Sequence, residues 1–278
     1  MMRAPINKII PFSSVDGPGN RTSIFLQGCN LNCKYCHNPE TIHMCIHCGD
    51  CVKICPTGAL SIKNKRVVFD FKKCIACDTC IKVCSHGASP RIRLMSPEEV
   101  FAEIEKQMPF IRGITTSGGE CSLYPLFLKQ LFTLCKKDHL GTLIDSNGMY
   151  DFSRDEKLLS VSDGVMLDIK AWNIEDHMKV TDKGNSMILK NLEYLSSVNK
   201  LYEVRTVVVP ELFDVKETVS KVSEIISKKS SNIRYKIITY RPMGVRAEYR
   251  NFIPPTKQFM KELYNIAKGK GVKEVIIV

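Results

Sequence analysis

Short apolar runs alternate with longer amphipathic segments through most of the chain after residue 94. Apolar runs bounded by turn residues are typical of buried strands, whereas apolar positions that recur every three or four residues indicate helices. The predicted strands are residues 22–28, 114–117, 142–145, 165–168, 202–209, 234–240 and 274–278. The predicted helices are residues 97–108, 125–138, 152–161, 174–180, 186–197, 215–227 and 256–268.

This alternation predicts an α/β fold in which helical crossovers join parallel strands. Six strand-helix units can be counted, two fewer than a closed eight-unit barrel contains. We therefore expect a partial (β/α)6 TIM-like barrel with one open side. The first of the later helices carries its own start signal, because Ser96 and Glu99 form a capping box and Pro97 takes the first helical position.

Residues 43–93 interrupt the alternation with an internal repeat of 29 residues. Each copy carries four cysteines in a C-x-x-C-x-x-C-x-x-x-C run, namely Cys45, Cys48, Cys51 and Cys55, then Cys74, Cys77, Cys80 and Cys84. The run matches bacterial two-cluster ferredoxins, in which the fourth cysteine of each run serves the other cluster. This resemblance implies one 4Fe-4S cluster on Cys45, Cys48, Cys51 and Cys84, and a second on Cys74, Cys77, Cys80 and Cys55.

Two features bear on this interpretation of the insert. Ser85 stands where the second run should have proline, which weakens a local turn but removes no ligand. A zinc ribbon is the alternative, although two runs with matched gaps exceed what zinc requires. We divide the chain into the start of the barrel (residues 1–42), a ferredoxin-like insert (43–93) and the rest of the barrel (94–278).

A further group of three cysteines, Cys29, Cys33 and Cys36, follows the first predicted strand of the barrel. Three thiolates can hold three corners of a four-iron cluster, which leaves one iron open. The CNLNCKYC loop resembles the signature of the radical S-adenosylmethionine (SAM) enzymes, in which that iron binds the amino and carboxylate groups of SAM. The alternatives are an electron-transfer cluster with its fourth cysteine elsewhere, and a zinc loop.

Composition narrows the cellular setting. Thirteen cysteines in a chain without an apolar signal-peptide core indicate metal ligands in a reducing cytoplasm rather than disulfides, and no stretch is long enough to span a membrane. The formal charge of +11 would fall to about +6 with three thiolate-ligated clusters bound. Such a surface could favour an acidic partner such as a flavodoxin or ferredoxin, or nucleic acid, or could simply aid solubility.

Unusual polar residues fall at the ends of the predicted strands, where the chemistry of such barrels is located. They are Tyr35 beside the cysteines, Gly118, Gly119 and Glu120, Asp145 and Ser146, Asp168 and Lys170, and Arg241. Asp168 and Lys170 share one face of an extended strand, so they could reach the ribose of SAM or form an ion pair at the rim. Arg205 lies within an apolar strand and requires an anionic partner, either the SAM carboxylate or a structural aspartate.

The motifs VDGPG, CxxxCxYCHN, SGGE, DSNG, VMLDIK and VRTVVVP resemble those of the glycyl-radical enzyme activating enzymes, typified by pyruvate formate-lyase activase. The insert and the sequences SGGEC and TYRPMG most resemble the YjjW type of these enzymes. The resemblance implies that the SGGE glycines and Glu120 bind the amino group of SAM and that His37 acts through its backbone. Asp145 and Ser146 would bind SAM or a monovalent cation, with an Asx-type turn as the alternative. Asp16 matches a position that meets the partner's glycine loop, and Arg241 replaces a histidine near the adenine.

The activity implied by the resemblance is reductive cleavage of SAM to methionine and a 5'-deoxyadenosyl radical, which takes hydrogen from a backbone glycine of a partner enzyme. The implied cofactors are three 4Fe-4S clusters and SAM, and the implied partners are a glycyl radical enzyme and a flavodoxin or ferredoxin that donates the electron. We expect a cytoplasmic monomer that touches neither membrane nor nucleic acid. The rival functions are a radical SAM enzyme acting on tRNA or a small molecule, and an iron-sulfur electron-transfer protein.

Overall fold

The structure, a computed structural model, describes residues 2–229 and 233–278. Its strands within those residues are β1 (Ala4–Ser13), β2 (Arg21–Leu26), β3 (Leu60–Lys63), β4 (Arg66–Phe69), β5 (Arg93–Met95), β6 (Gly113–Gly118), β7 (Gly141–Ser146), β8 (Gly164–Asp168), β9 (Leu201–Val208), β10 (Arg234–Thr239) and β11 (Glu274–Ile277). Its helices there are α1 (Asp50–Lys53), α2 (Thr79–Lys82), α3 (Pro97–Glu105), α4 (Pro125–Lys137), α5 (Glu156–Ser160), α6 (Ile174–Thr181), α7 (Ser186–Ser197), α8 (Val215–Lys229) and α9 (Lys257–Gly269).

One large sheet organises the barrel part of the chain. In the part that the structure describes it has nine strands in the order β11-β10-β9-β8-β7-β6-β2-β1-β5. Every neighbouring pair from β2 to β11 is parallel. The predicted parallel strands with helical crossovers are therefore confirmed. Since parallel strands point the same way, the loops after β2, β6, β7 and β8 meet at one edge of the sheet.

Two strands of this sheet were missed by the hydrophobic pattern. β1 pairs antiparallel with β2, and β5, only three residues long, pairs antiparallel with β1. β1 contains two prolines and its pairing with β2 shifts register twice, so its pattern of buried positions does not alternate. Arg93, placed at the end of the insert by the sequence, already pairs with Ile6 in this sheet.

The helices pack their apolar faces on the sheet. α4 buries Phe127, Leu131 and Phe132 completely, and each such side chain contributes roughly 1.5–3 kcal/mol through loss of water contact. α3 begins with the predicted capping box, in which Ser96 and Glu99 each bind the other's backbone amide. Two predicted helices are shorter than expected: α3 ends at Glu105, and residues 152–161 form a 3-10 turn followed by α5, which Asp155 caps.

The insert has little secondary structure and a small core. β3 and β4 form a hairpin, and the short helices α1 and α2 each follow a residue with positive φ, Gly49 and Asp78. Among the described residues, its core cluster consists of Cys51, Leu60 and Cys80. The insert is attached to the barrel where the Ser89 amide donates to the carbonyl oxygen of Glu40 at 2.8 Å. In the described residues, no helix combines the length and hydropathy needed for a membrane span.

Candidate functional site

A cavity of about 200 Å³ opens at the edge where β2, β6, β7 and β8 end. The cysteines that line it within the described residues are the predicted triad, Cys29, Cys33 and Cys36. Most of the other predicted site residues also line it, namely Tyr35, His37, Gly118, Gly119, Glu120, Asp145, Ser146, Asp168 and Lys170. Arg205 and Arg241 are not among the lining residues. Most of the polar residues that the sequence analysis located at strand ends therefore line one cavity.

The loop that carries the three cysteines is held by its backbone. The amide of Cys29 donates to the carbonyl of Ile42 at 3.0 Å, and the amide of Asn32 donates to Thr181 at the end of α6 at 3.1 Å. The amide of Leu31 lies 3.5 Å from the Cys29 sulfur as a donor. These contacts position the thiols independently of any bound group.

The three thiols fit an iron-sulfur cluster in their chemistry. Burial raises the pKa of Cys29 and Cys33 to about 12 and that of Cys36 to about 11. Thiols in such surroundings ionise when a metal accepts the charge. Three sulfur donors converging on one cavity match three corners of a 4Fe-4S cluster.

Asn147, in the DSNG motif, lines the cavity but was not among the predicted SAM contacts. Its side-chain amide lies 3.7 Å from the Cys29 sulfur and donates to Asn30 Oδ1 at 2.8 Å. It directly follows Asp145 and Ser146 at the end of β7, as the sequence indicated, but its contacts with Cys29 and Asn30 are long-range and were not predicted. An amide donor toward a thiolate sulfur stabilises the negative charge there.

The two glycines of the SGGE segment have a structural role, because neighbouring backbone leaves no room for a side chain at either position. A Cβ on Gly118, whose φ is +120°, would lie 2.3 Å from the Leu26 backbone nitrogen. A Cβ on Gly119 would lie 2.2 Å from the carbonyl oxygen of Gly28. Both positions are therefore restricted to glycine by the close approach of the backbone of β2 and of the loop that follows it.

Glu120 is buried and its carboxylate is already engaged. It accepts from the amides of Ser122 at 3.0 Å and Asn147 at 2.6 Å, and from the Ser146 hydroxyl at 2.9 Å. Burial raises the pKa of Glu120, and these hydrogen bonds oppose the shift. The carboxylate joins the loops after β6 and β7, so we interpret it as a residue that positions the cavity wall.

Asp168 and Lys170 face the cavity as an ion pair of 2.6 Å, as the alternative interpretation expected. Lys170 Nζ also lies 5.9 Å from the centre of the Tyr35 ring. Tyr35 is buried, and its hydroxyl has no hydrogen-bond partner among the described residues. Because burial and the nearby cysteine thiols disfavour a phenolate, the pKa of Tyr35 is raised.

Arg205 has structural anionic partners. Its guanidinium lies 3.0 Å from Asp145 and 2.5 Å from Glu203. Ser117 donates to the other oxygen of Asp145 at 2.9 Å. The structural-aspartate alternative thus describes this arginine, which fixes Asp145 at the cavity wall. Burial raises the pKa of Asp145, and Arg205 opposes that shift.

The segment after β10 closes over the cysteine loop. The ring nitrogen Nε2 of His37 lies 3.0 Å from the backbone carbonyl oxygen of Arg241. Arg241 itself is exposed. Arg246 donates to the carbonyl of Cys33 at 3.2 Å and lies 4.9 Å from the centre of the Tyr249 ring. No sequence motif marks Arg246, because its role depends on a long-range contact.

Asp16 lies in the turn between β1 and β2. Its carboxylate accepts from the hydroxyls of Ser13 at 2.6 Å and Ser23 at 2.7 Å, and its carbonyl accepts from Thr115 at 2.5 Å. It is half-buried, so part of the side chain remains open to a partner.

Within the insert, cysteines of the two runs lie near one another. One small cavity is lined by Cys55 of the first run together with Cys74, Cys77 and Cys80 of the second. Elsewhere in the insert, burial raises the pKa of Cys45, and the neighbouring thiols of Cys84 and Cys48 raise it further. Burial and the thiols of Cys45, Cys80 and Cys48 raise the pKa of Cys51, so Cys51 also lies near a cysteine of the second run.

The two runs also repeat their backbone geometry. The amide of His47 donates to the Cys45 sulfur at 3.4 Å, and 29 residues later the amide of Ala76 donates to the Cys74 sulfur at 3.4 Å. Both donors adopt positive φ, 61° and 55°. Amide donors toward sulfur are arranged as for thiolates that bind a cluster. The remaining thiols, Cys121 and Cys135, are buried.

The model of the family described as "Radical SAM superfamily" matches residues 23–222. The chain is 30% identical to a "Putative glycyl-radical enzyme activating enzyme" of Haemophilus influenzae, over 99% of this chain and 96% of the relative. It is 37% identical to the "(2S)-3-sulfopropanediol sulfolyase activating enzyme" of Bilophila wadsworthia, over 84% of this chain and 83% of the relative. Among solved structures, QueE from Escherichia coli is similar to this chain with a TM-score of 0.56. The match covers 100% of this chain and 95% of QueE, at 14% sequence identity, so it supports the fold alone.

Proposed function

The chain belongs to the radical SAM superfamily and, within it, to the glycyl-radical enzyme activating enzymes, and from that membership we propose how its cavity generates a glycyl radical on a partner. The observation that carries the proposal is the convergence of Cys29, Cys33 and Cys36 on one cavity at the strand ends. The substrate of such enzymes is a protein, so the cavity must serve both SAM and an approaching glycine loop.

Cys29, Cys33 and Cys36 hold the 4Fe-4S cluster in this proposal. When bound, the cluster and SAM supply the chemistry: an electron cleaves SAM to methionine and a 5'-deoxyadenosyl radical that abstracts hydrogen from glycine. The chain contributes the arrangement. The backbone of the cysteine loop fixes the sulfurs, and Asn147 directs an amide toward Cys29.

The SAM contacts are assigned by position in the cavity wall. Carbonyl oxygens of Gly118 and Gly119 accept from the amino group, while Glu120 positions them. Asp168 and Lys170 bind the ribose hydroxyls, and their mutual ion pair holds both side chains ready. The other proposed contacts are Tyr35, Cys36, the His37 backbone, and Asp145 with Ser146, which could also bind a monovalent cation. Arg205 acts indirectly, because its ion pair with Asp145 positions that carboxylate. Arg241 lies beside the site because its backbone carbonyl oxygen contacts the His37 ring.

The insert, residues 43–93, is proposed as a ferredoxin-like domain of the YjjW type. One 4Fe-4S cluster is bound by Cys45, Cys48, Cys51 and Cys84, and the other by Cys74, Cys77, Cys80 and Cys55. The grouping of Cys55 with Cys74, Cys77 and Cys80 around one cavity supports the crossed assignment. In this proposal the two clusters would relay an electron from a flavodoxin or ferredoxin to the barrel, and the alternative is that they shape the surface on which the partner docks.

The partner is a glycyl radical enzyme, whose glycine loop reaches the cavity from the open side of the barrel and meets Asp16. The reducing compartment is the cytoplasm and the activase is a monomer. The names of the relatives point to three candidate partner classes: a pyruvate formate-lyase, a sulfopropanediol sulfolyase and an indoleacetate decarboxylase.

The test is anaerobic mixing of the reconstituted protein with dithionite, SAM and each candidate partner in turn. Electron paramagnetic resonance should show a glycyl radical on one of them, and chromatography should show 5'-deoxyadenosine. Cys29→Ala should give neither product. SAM cleavage by Cys29→Ala at the wild-type rate would contradict the assignment of the cluster site.

A further inference from the structure

The positive charge of this chain is concentrated in the insert. Residues 43–93 contain nine Lys and Arg against three Asp and Glu, whereas the remaining residues contain 31 against 26. More than half of the net +11 therefore belongs to less than a fifth of the chain. Two four-cysteine clusters would offset about four of these charges, so the position of the exposed cations matters more than the net charge. Exposed cations grouped on one face of the insert would favour a partner with a negative surface.

The tip of the β3-β4 hairpin, residues 63–66, is the densest part of this charge. Lys63 pairs directly opposite Arg66, and Lys65 lies in the turn between them. Like charges at opposed positions of a hairpin destabilise it. All three side chains are exposed, and within the described residues none forms an ion pair. The hairpin therefore carries an electrostatic cost that a bound acidic surface would relieve.

The hairpin packs on the loop that carries the first run of cysteines. The Val67 amide donates to His47 Nδ1 at 3.1 Å. The Ile62 side chain lies so close to Gly49 that a Cβ there would be 2.9 Å from Ile62 Cδ1. Cys48, between these two contacts, is exposed. The basic tip therefore adjoins the solvent-facing edge of the cysteine group Cys45, Cys48, Cys51 and Cys84.

Aliphatic side chains border the same edge. Ile46 is 60% exposed and Ile62 is 57% exposed. Apolar contacts surrounded by charge are typical of small, short-lived protein interfaces, and electron-transfer complexes are among the smallest. A nucleic acid strand would use the cations for its phosphates but would gain nothing from two exposed isoleucines. The surface therefore favours a protein partner.

We propose that the hairpin tip (Lys63, Lys65 and Arg66) with Ile46 and Ile62 is the docking surface for a small acidic electron-transfer protein. The inference rests on the proposed function and specifies where the electron enters. The carrier loses one electron at this surface, and the iron-sulfur unit held beside Cys48 gains it, so no other reactant is required. The cations steer the carrier and hold it in an orientation that faces Cys48.

The test compares two triple variants of the cluster-loaded, full-length protein. One is Lys63→Glu/Lys65→Glu/Arg66→Glu. The matched control is Lys137→Glu/Lys157→Glu/Lys261→Glu, which changes the net charge equally at exposed lysines outside the insert. Anaerobic calorimetry measures binding of an acidic flavodoxin and of an acidic ferredoxin at about 0.01 M and about 0.15 M ionic strength, where the screening length falls from about 30 Å to about 8 Å.

The wild-type protein should bind at least one of the two carriers, more weakly at the higher salt. The hairpin variant should weaken that binding about tenfold or more at low salt and flatten its salt dependence, while the control changes it much less. Carrier-driven SAM cleavage should slow in the hairpin variant, whereas dithionite-driven cleavage should match wild type. Loss of dithionite-driven cleavage in the wild-type protein itself would count against the proposed function, and the binding arm would still report on the surface.

Three results would overturn the docking surface. The first is absence of binding by either carrier to the wild-type protein. The second is equal binding by wild type and hairpin variant, or equal weakening by the control. The third is a hairpin variant that keeps its carrier affinity but loses affinity for a single-stranded RNA, which would assign the cations to nucleic acid.

Discussion

The two cysteine-bearing regions of this protein are built in opposite ways. Cys29, Cys33 and Cys36 lie on a loop held by a parallel sheet with a large apolar core. The eight cysteines of the insert lie on turns and on helices of four residues, around a core of three buried side chains in the described residues. The barrel core therefore holds the first group of cysteines in place. The insert has too small a core for this, so we expect metal bound to its cysteines to hold the surrounding chain in place.

The exposed thiols of the insert also differ in chemistry from those of the barrel, although burial raises the pKa of Cys45, Cys51 and Cys80 as well. Burial raises the pKa of Cys33 to about 12. Cys77 is exposed, and hydrogen bonding from Thr79 lowers its pKa. A buried thiol in a preformed cavity stays neutral until metal arrives, whereas an exposed thiol ionises readily and can collect metal while the chain around it is still ordering. The barrel should therefore tolerate metal loss, and the insert should not.

The largest expected effect separates the two regions by function. Cys33→Ala should lower SAM cleavage by about a thousandfold or more, because the radical-generating cluster loses a ligand. Iron content should fall from about twelve to about eight per chain, since the insert retains its own cysteines. Iron analysis and the yield of 5'-deoxyadenosine under dithionite measure both.

The matched control is Cys135→Ala, a buried cysteine on α4 that lines neither cysteine cavity. It should retain full iron and cleavage, with at most a modest loss of stability. Loss of all iron in Cys33→Ala would mean that the two regions are not independent, and the comparison would be wrong.

Removal of iron by a chelator should affect the insert next. Amide hydrogen exchange in residues 45–84 should approach that of an unfolded chain, because a core of this size cannot hold the segment without metal. Strands β6 to β9 should keep slow exchange, since their apolar contacts do not involve metal. Equal protection of both regions after chelation would contradict the proposed dependence of the insert on metal.

This contrast also explains what could be predicted from sequence. The parallel strands were predicted because burial on both faces produces continuous apolar runs, as in β8. The cysteine groups were predicted because ligand spacing is local. β1 was missed because its prolines and register shifts break the alternation. The partners of Glu120 and Arg246 were missed because they depend on residues far apart in the chain, which no local pattern encodes.

Gly119→Ala tests how rigidly the fold positions the barrel cavity. The added Cβ would lie 2.2 Å from the Gly28 carbonyl oxygen, so the loop after β6 must move away from the cysteine loop. We expect a loss of about 3 kcal/mol in the free energy of unfolding, together with weaker SAM binding. Urea denaturation and equilibrium dialysis with labelled SAM measure the two effects.

Gly269→Ala is the matched control for that substitution. Gly269 ends α9, and an added Cβ would meet nothing within 4 Å. Alanine is favoured over glycine in a helix by about 1 kcal/mol, so stability should be unchanged or higher. If Gly119→Ala were as stable as this control and bound SAM normally, the close approach of the two loops would not constrain the cavity.

Arg246→Ala has the smallest expected effect and addresses the most distant contact of the cysteine loop. Its guanidinium donates to the Cys33 carbonyl and packs on Tyr249, so its removal frees one side of the loop without removing a sulfur. Loss of a hydrogen bond from a charged group is worth about 1.5 kcal/mol or more, and about 1.4 kcal/mol corresponds to a factor of ten, so SAM cleavage should slow about tenfold or more at full iron content. The electron paramagnetic resonance spectrum of the reduced cluster should change as well.

Arg250→Ala is the matched control. It removes a hydrogen bond of 2.6 Å to the Val245 carbonyl within the same segment and should leave the spectrum unaltered. Identical changes in both variants would assign the effect to the segment as a whole, and the geometry of the cysteine loop would then depend on the segment after β10 as well as on the sheet.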